Sequence, residues 1–468
     1  MEQLPLPSSE SKCVTRDDIH VLVVPYALQG HIRPFLKLSE SFVQHGIKTT
    51  LLVTEHTYRH VNQKINHAVE GSSQVNVVAI SDGLGSLDDR KDERKVAASF
   101  FSAVPGQVKN LIADANKLGG TKRITCLVAD AMFGWALETA EQMGIKAALF
   151  WTASPGALAV TLRIPELIEA GVIDNEGTPL RTDNIQLLPN MPPIDTSEFP
   201  WCNSFNGDGS QKIMFRFFSA SQQVAKVSRW LLCNYFHELD TSARAVIPNL
   251  VPVGPLSCIC EPTEIMEPKD STVLKWLDQQ QTRSVVYIAF GTLSTMSQKQ
   301  LNELALGLEP MEQGFLLVVR SDTTGGSSIQ YPDGFLERVA GRGKIVEWAP
   351  QEKVLAHPSI ACFLSHCGWN STMEGMSSGV PFLCWPCFGD QIYTRTCICD
   401  GWKIGLNFVQ DEENIISRHE IKRKIDELLS LTDIYEKSRK LKTAAKKAVV
   451  SGGSSFDAFE GFIEQIKG

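Results

Sequence analysis

Short apolar runs alternate with longer amphipathic stretches along the whole chain. In the first half, the runs with high β-propensity are HVLVVPY, IKTTLLVT, VNVVAIS, ITCLVAD, IKAALFW and RWLLCN. In the second half they are SVVYIAFG, GFLLVVR, KIVEWA, SIACFLSH and VPFLCWP. This alternation is typical of βα units arranged around parallel strands. The two series therefore predict an α/β protein with two doubly wound parallel sheets.

A proline-rich segment with few helix formers, residues 247–271, separates the two series of predicted strands. Such a composition favours a linker between domains. We therefore predict a first domain over residues 1–250 and a second domain over residues 251–449.

The composition excludes several classes of protein. The chain has 468 residues, of which 43% are hydrophobic and 21% are charged, which is typical of a globular protein of two or three domains. With 45 Lys and Arg against 53 Asp and Glu, the net charge is −8. Because no positive excess is available to bind a polyanion, we expect no nucleic-acid partner.

The chain carries no sign of a membrane span or of secretion. Its long uncharged stretch at 147–162 is shorter than the roughly 20 residues that a spanning helix needs, and it contains Pro155 and Gly156. The N-terminal residues lack a basic region followed by an apolar one. We therefore expect a cytoplasmic protein whose 12 cysteines are reduced thiols, and we interpret the CWPC stretch at 384–387 as packing rather than as a redox pair.

Two predicted strands of the first half end in residues that could act in acid–base chemistry. His31 follows HVLVVPY, and Asp130 ends ITCLVAD. Taken singly, His31 could bond local backbone and Asp130 could cap the next helix. If the two strands are neighbours, the carboxylate and the imidazole meet at one sheet edge, where ligands of parallel sheets bind. The pair would then form a His/Asp base dyad without a serine or cysteine nucleophile.

A second strand end indicates an anion site. SIACFLSH runs through Gly368 into a predicted helix whose first turn contains Asn370 and Ser371, and helix N-termini with small residues favour phosphate groups. His366 and Cys367 are adjacent along the chain but do not make a nucleophile dyad by that alone, and zinc would require more ligands. AFGTLS at 289–294 offers a further glycine turn with hydroxyls.

Residues 348–391 resemble, along their whole length, the signature box of plant secondary-product UDP-glycosyltransferases. Outside the box the resemblance extends to GHIRP, CLVADA, FWTASP, VGPL, YIAFGT and GGSS, and so to nearly the entire chain. It implies the GT-B fold, in which two Rossmann-like domains face each other across a cleft. The second domain would hold the sugar donor and the first the acceptor, and a C-terminal helix at about 450–468 would pack back on the first domain.

The resemblance also implies roles for individual residues, with His31 as the catalytic base and Asp130 as its partner. The positions that match the family's nucleoside site are Trp348 and Ala349 at the uracil and Gln351 and Glu374 at the ribose. Those that match the diphosphate site are His366, Gly368, Asn370 and Ser371, with Gly291 and Thr292 at further phosphate contacts. Those that match the sugar site are Trp369, Asp390, Gln391 and Thr152. In the family, glutamine at the position of Gln391 accompanies glucose use. Arg33 departs from the pattern, since relatives more often carry smaller or neutral residues there.

The expected activity is inverting O-glucosyl transfer from UDP-glucose to a small lipophilic hydroxylated acceptor, by a monomer that needs no cofactor and no metal. The acceptor pocket is expected around Gly30, Phe133, Trp135, Trp201 and Phe205. An NAD(P) oxidoreductase would need G-x-G-x-x-G after a strand, and the chain lacks that motif. A catalytically inactive UDP-sugar-binding protein is the remaining alternative, although His31 and Asp130 are both retained.

Overall fold

A computed structural model describes residues 16–59, 75–85, 93–120, 123–202, 210–259, 272–321, 323–324 and 329–467. The first half forms a seven-stranded sheet in the order β3-β2-β1-β4-β5-β8-β9, with every neighbouring pair parallel. Its strands are β1 (His20–Val24), β2 (Lys48–Thr54), β3 (Asn76–Ile80), β4 (Cys126–Asp130), β5 (Lys146–Trp151), β8 (Leu231–Cys233) and β9 (Leu250–Pro252). A small antiparallel pair, β6 (Asn184–Ile185) and β7 (Ile194–Asp195), lies outside this sheet.

The second half forms a six-stranded parallel sheet in the order β12-β11-β10-β13-β14-β15. Its strands are β10 (Val285–Ala289), β11 (Gly314–Val318), β12 (Gly343–Val346), β13 (Ile360–Ser365), β14 (Phe382–Cys384) and β15 (Gly405–Asn407). All of the residues of β10 and β13 are buried, as expected for central strands covered on both faces. The predicted pair of doubly wound parallel sheets is confirmed.

Helices connect the parallel strands and cover the faces of both sheets. In chain order they are α1 (Gln29–Gln44), α2 (Glu93–Leu118), α3 (Gly134–Met143), α4 (Pro155–Leu162), α5 (Ile164–Glu169), α6 (Ser210–Val227), α7 (Ala243–Val246), α8 (Leu256–Ile259), α9 (Thr272–Leu277), α10 (Gln298–Leu308), α11 (Phe335–Val339), α12 (Gln351–Ala356), α13 (Trp369–Ser378), α14 (Gln391–Thr396), α15 (Arg418–Ser430), α16 (Thr432–Ala448) and α17 (Ser454–Lys467). No helix within the described part of the chain is both long and apolar enough to cross a membrane.

The segment expected to be a linker contains structure at its beginning. Residues 250–252 form β9, the edge strand of the first sheet, and α8 follows it, whereas residues 260–271 lie outside the described part. β9 pairs with β8 through only three residues, which is too short for a periodic pattern to show in the sequence. The second sheet likewise gains a three-residue edge strand, β15, that the apolar runs did not indicate.

The last helix, α17, packs on the first sheet rather than on the second. Phe459, Phe462 and Ile463 of α17 are buried in the same apolar cluster as Ile19 and Phe42 of the first half. The ring centroids of Phe42 and Phe459 are 5.0 Å apart. The end of the chain therefore closes over the first sheet after the second sheet is complete.

Candidate active site

β1 and β4 are parallel neighbours, and this pairing brings His31 and Asp130 together at one sheet edge. His31 Nδ1 lies 2.6 Å from Asp130 Oδ2. The other carboxylate oxygen, Oδ1, accepts the backbone N–H of Met132 at 3.1 Å. Because a carboxylate can only accept, His31 donates from Nδ1, and its Nε2 is left to take a proton. Thr152 Oγ1 lies 3.2 Å from Nδ1 of the same ring.

The charges around His31 favour its protonated form. Burial disfavours the charged ring, but the charge and hydrogen bond of Asp130, with a smaller contribution from Asp390, outweigh it and raise the pKa of His31. Asp390 belongs to the second half of the chain, and burial raises its own pKa to about 6. The charges of His31 and Asp390 therefore act on each other although they belong to different halves of the chain.

His366 follows β13 and is held between two glycines. A methyl group added at Gly291 would come within 2.6 Å of His366 Nε2, and one added at Gly368 within 2.4 Å. Gly291 also has a φ of 72°, which favours glycine. Burial, with the nearby charge of Arg320, lowers the pKa of His366 to about 4. The ring is therefore neutral at pH 7 and can donate one hydrogen bond beside the N-terminus of α13.

Gln351 and Glu374, the two expected ribose residues, contact each other directly. Gln351 Nε2 donates to Glu374 Oε2 at 2.7 Å and to Ser371 Oγ at 2.8 Å. Tyr287 donates its hydroxyl to Gln351 Oε1 at 3.3 Å. Burial and the neighbouring charge of Glu352 raise the pKa of Glu374 to about 7. These contacts fix the side chain of Gln351 at the start of α12 and that of Glu374 on α13.

A hydrogen bond between α1 and α13 connects the base to the anion site, and a proline in α1 leaves its acceptor available. α1 begins at Gln29, so Pro34 lies in its second turn. Pro34 has no N–H to donate to the carbonyl of Gly30, four residues earlier. That carbonyl instead accepts Asn370 Nδ2 from α13 at 2.7 Å. The start of the helix that carries His31 is thereby hydrogen-bonded to the expected diphosphate cradle.

The structure corrects the expectation for three aromatic side chains. The indole of Trp369, expected to face the sugar, is buried and donates Nε1 to the carbonyl of Asn234 at 2.9 Å. Trp201 and Phe133, expected to line the acceptor pocket, have no exposed surface. Trp201 donates Nε1 to Gly177 O at 2.8 Å, so its side chain belongs to the core. Phe205 lies outside the described residues.

Three further aromatic residues lie near the dyad, and the sequence did not indicate all of them. Tyr26 is buried, whereas Phe101 and Trp135 are partly exposed. Tyr26 contacts His31 edge-on, with ring centroids 5.5 Å apart, and Phe101 lies 6.4 Å from Tyr26. Trp135, an expected acceptor residue, stacks on Phe133 at 5.3 Å and is half-buried. Tyr26 lies two residues after the end of β1, so the strand-end rule that found His31 also applies to it.

The other predicted site residues lie at the ends of strands of the second sheet. Thr292 is exposed after β10, Trp348 and Ala349 follow β12, and Asp390 precedes α14. Gln391 is 4% exposed, and its Oε1 accepts the backbone N–H groups of Cys387 at 2.9 Å and Phe388 at 3.2 Å. The oxygen of Gln391 therefore holds the loop that precedes it.

Arg320, at the carboxyl end of β11, was missed. It donates to the backbone carbonyls of Gly291 and of Ser294, the latter at 3.3 Å, and so fixes the glycine turn beside His366. The terminal arginine of the run GFLLVVR was the signal that could have found it. The thiols of the CWPC stretch do not have the low pKa of a redox pair, because burial raises the pKa of Cys387 to about 11 and that of Cys384 well above its ordinary value.

The chain is similar to known proteins over nearly its whole length. Residues 201–429 match the family model described as UDP-glucoronosyl and UDP-glucosyl transferase. The chain is 38% identical to UDP-glycosyltransferase 83A1 of Arabidopsis thaliana over 461 residues, covering 96% of this chain and 97% of the relative.

Two solved structures are similar over nearly the whole chain. One is Phytolacca americana UGT2 complexed with UDP-2fluoro-glucose and pterostilbene, with 25% identity, a TM-score of 0.78, and 96% and 100% of the two chains covered. The other is a UDP-glucosyltransferase from Polygonum tinctorium capable of glucosylating indoxyl, in complex with 3,4-dichloroaniline, with 26% identity, a TM-score of 0.79, and 96% and 99% covered. These neighbours confirm the predicted GT-B architecture.

Proposed function

The chain belongs to the UDP-glucoronosyl and UDP-glucosyl transferase family, and on that premise we propose that it transfers glucose from UDP-glucose to a hydroxyl group of a small lipophilic acceptor, with inversion at the anomeric carbon. The observation that carries the proposal is the hydrogen bond of 2.7 Å between Asn370 and the carbonyl of Gly30. It sets the base dyad of the first domain beside the anion cradle of the second, which a direct displacement between acceptor and donor requires.

In the proposed reaction, His31 Nε2 removes the proton of the acceptor hydroxyl as its oxygen attacks the anomeric carbon. Asp130 offsets the positive charge that develops on the ring and keeps Nδ1 protonated, because it accepts from that atom at 2.6 Å. The acceptor is expected beside the dyad near the partly exposed rings of Phe101 and Trp135, with the buried ring of Tyr26 in contact with His31.

The bond from the anomeric carbon to the diphosphate oxygen breaks on the opposite side, and UDP leaves. Neutral His366 donates to the diphosphate, and the free N–H groups at the start of α13, around Asn370 and Ser371, stabilise its negative charge. Gln351 and Glu374 hold the ribose hydroxyls, and Trp348 stacks on the uracil. Thr152, Asp390 and Gln391 surround the sugar.

The two solved neighbours support the finer parts of this proposal, because one is in complex with UDP-2fluoro-glucose and the other is described as a UDP-glucosyltransferase. Their small aromatic ligands support a lipophilic acceptor. We also propose that the protein works in the cytoplasm, since all ten cysteines in the described part of the chain are free thiols.

A panel of flavonoids, simple phenolics, terpenoid alcohols and carboxylic acids, incubated with UDP-glucose, tests the proposed activity. We expect UDP release that depends on the acceptor, together with a β-glucoside detected by mass spectrometry and NMR. UDP-glucose binding without UDP release for any acceptor would instead favour the inactive sugar-binding protein. The intact hydrogen bond between His31 and Asp130 argues against that alternative.

A further inference from the structure

A cationic side chain of α1 forms an ion pair with a carboxylate of the second domain. Lys37 Nζ lies 2.8 Å from Glu352 Oε2, and these side chains are only 10% and 13% exposed. Arg33, one helical turn before Lys37, acts electrostatically on Glu374. We refer to Arg33, Lys37, Glu352 and Glu374 as the α1 charge cluster. Within the cluster, Lys37 and Glu352 form the ion pair, and the charges of Arg33 and Lys37 favour the ionised form of Glu374.

The α1 charge cluster connects the base to the expected ribose site. Arg33 is two residues from His31 on the same helix, and Glu352 directly follows Gln351 on α12. Gln351 in turn donates to Glu374 at 2.7 Å. A displacement of α1 away from the second domain would therefore separate Arg33 and Lys37 from the carboxylates that they compensate.

We propose that Arg33 and Lys37 are positioning residues for the donor, which supply from the first domain the positive charge that lets buried Glu374 accept the ribose hydroxyls. This inference rests on the proposed function, because the ribose role of Glu374 is part of that proposal. The compensation requires that α1 lies against the second domain, as it does through the ion pair of Lys37 with Glu352.

The charges that face Glu374 support this inference. Glu374 is 8% exposed, and burial together with the negative charge of Glu352 raises its pKa to about 7. Arg33, the hydrogen bond from Gln351, and Lys37 lower it. Without the two cations the pKa of Glu374 would be higher still, and at neutral pH a smaller fraction of the carboxyl would be ionised and able to form the stronger, charge-assisted hydrogen bonds to the ribose.

Calorimetric titration with UDP between pH 6 and pH 9 tests the inference without turnover. The wild-type protein should bind UDP less tightly as the pH falls through about 7, because Glu374 becomes protonated. Arg33→Met and Lys37→Met should move this loss to higher pH, with at least about fivefold weaker binding at pH 7 and convergence with the wild type at pH 9. Glu352→Gln should move the loss to lower pH, because it removes the charge that opposes ionisation.

The opposite directions of these pH shifts distinguish an electrostatic role from damage to packing. Lys37→Arg, which keeps the positive charge, should keep the wild-type pH profile. Lys117→Met is the matched control, since Lys117 forms an exposed surface pair with Asp114. Equal weakening at every pH in all three variants, or profiles that coincide with the wild type, would overturn the inference. Should Lys37→Met fail to fold, Arg33→Met and Glu352→Gln still give the two opposite shifts. Absence of UDP binding by the wild-type protein would overturn the proposed function itself.

Discussion

His31 Nδ1 and Asp130 Oδ2 lie 2.6 Å apart, although the residues are 99 positions apart in the chain. The parallel pairing of β1 with β4 creates this contact, because Asp130 ends β4 and His31 lies in the first turn of the helix that follows β1. The contact assigns the proton of the ring to Nδ1 and directs Nε2 toward the cleft. The proposed chemistry depends on that assignment.

Asp130→Asn should lower turnover by about tenfold to a hundredfold, less than loss of the base itself, because the amide can still hydrogen-bond the ring. It should also change the pH profile. Asp130 raises the pKa of His31, so without its charge the burial of the ring lowers this pKa and the acid limb of kcat/KM should move to lower pH. An acid limb that stays in place in the variant would show that another group titrates there.

Gly368→Ala should weaken donor binding, because the added methyl group would lie 2.4 Å from His366 Nε2 and would displace the ring from the diphosphate. KM for UDP-glucose should rise about tenfold or more, which corresponds to losing a hydrogen bond to a charged group. Gly461→Ala is a suitable control, since nothing lies within 4 Å of its added methyl group. An unchanged KM in Gly368→Ala would contradict the placement of the diphosphate beside His366.

Activity should survive a metal chelator such as EDTA. The backbone N–H groups at the start of α13 and the neutral His366 can compensate the diphosphate charge in place of a divalent cation. Within the described ranges, no three His, Cys, Asp or Glu side chains are grouped so that they could hold a metal ion. Loss of activity in EDTA that returns only with magnesium or manganese would contradict this prediction.

UDP-glucose should be preferred over UDP-galactose by about tenfold to a hundredfold, since the two sugars differ only at the 4-hydroxyl and an unpaired buried polar group costs about 1–3 kcal/mol. Gln391→His should reduce that preference. The Oε1 atom of Gln391 already holds the loop at Cys387 and Phe388, so Tm should be compared as well. Equal rates with both donors in the wild type, or a ratio unchanged in the variant, would show that other residues select the sugar.

The strands that position the site could be predicted because they are buried and apolar along their whole length. SIACFLSH became β13 and ITCLVAD became β4, and the residues directly after such strands necessarily gather at one sheet edge. That rule was sufficient to bring His31 to Asp130 and to place His366 beside a helix N-terminus.

Side-chain direction and contacts between the domains could not be read in the same way. The sequence gives Trp369 a place at the start of α13, but only the packing of the two domains directs its indole to Asn234. The direction of the Trp201 side chain could not be predicted either, because its hydrogen bond to Gly177 depends on how a loop folds over α6. The ion pair of Lys37 with Glu352 joins residues 315 positions apart, and no local pattern encodes it.

The central claim, that His31 is the base of a glycosyl transfer, is tested most directly by comparing His31→Ala with the wild-type protein on the best acceptor of the panel. Turnover should fall by roughly two to four orders of magnitude, while the Kd for UDP stays nearly unchanged, because the donor cradle lies in the second domain. His419→Ala, an exposed histidine on α15, should behave as the wild type in the same assay. Near-normal turnover in His31→Ala would contradict the account.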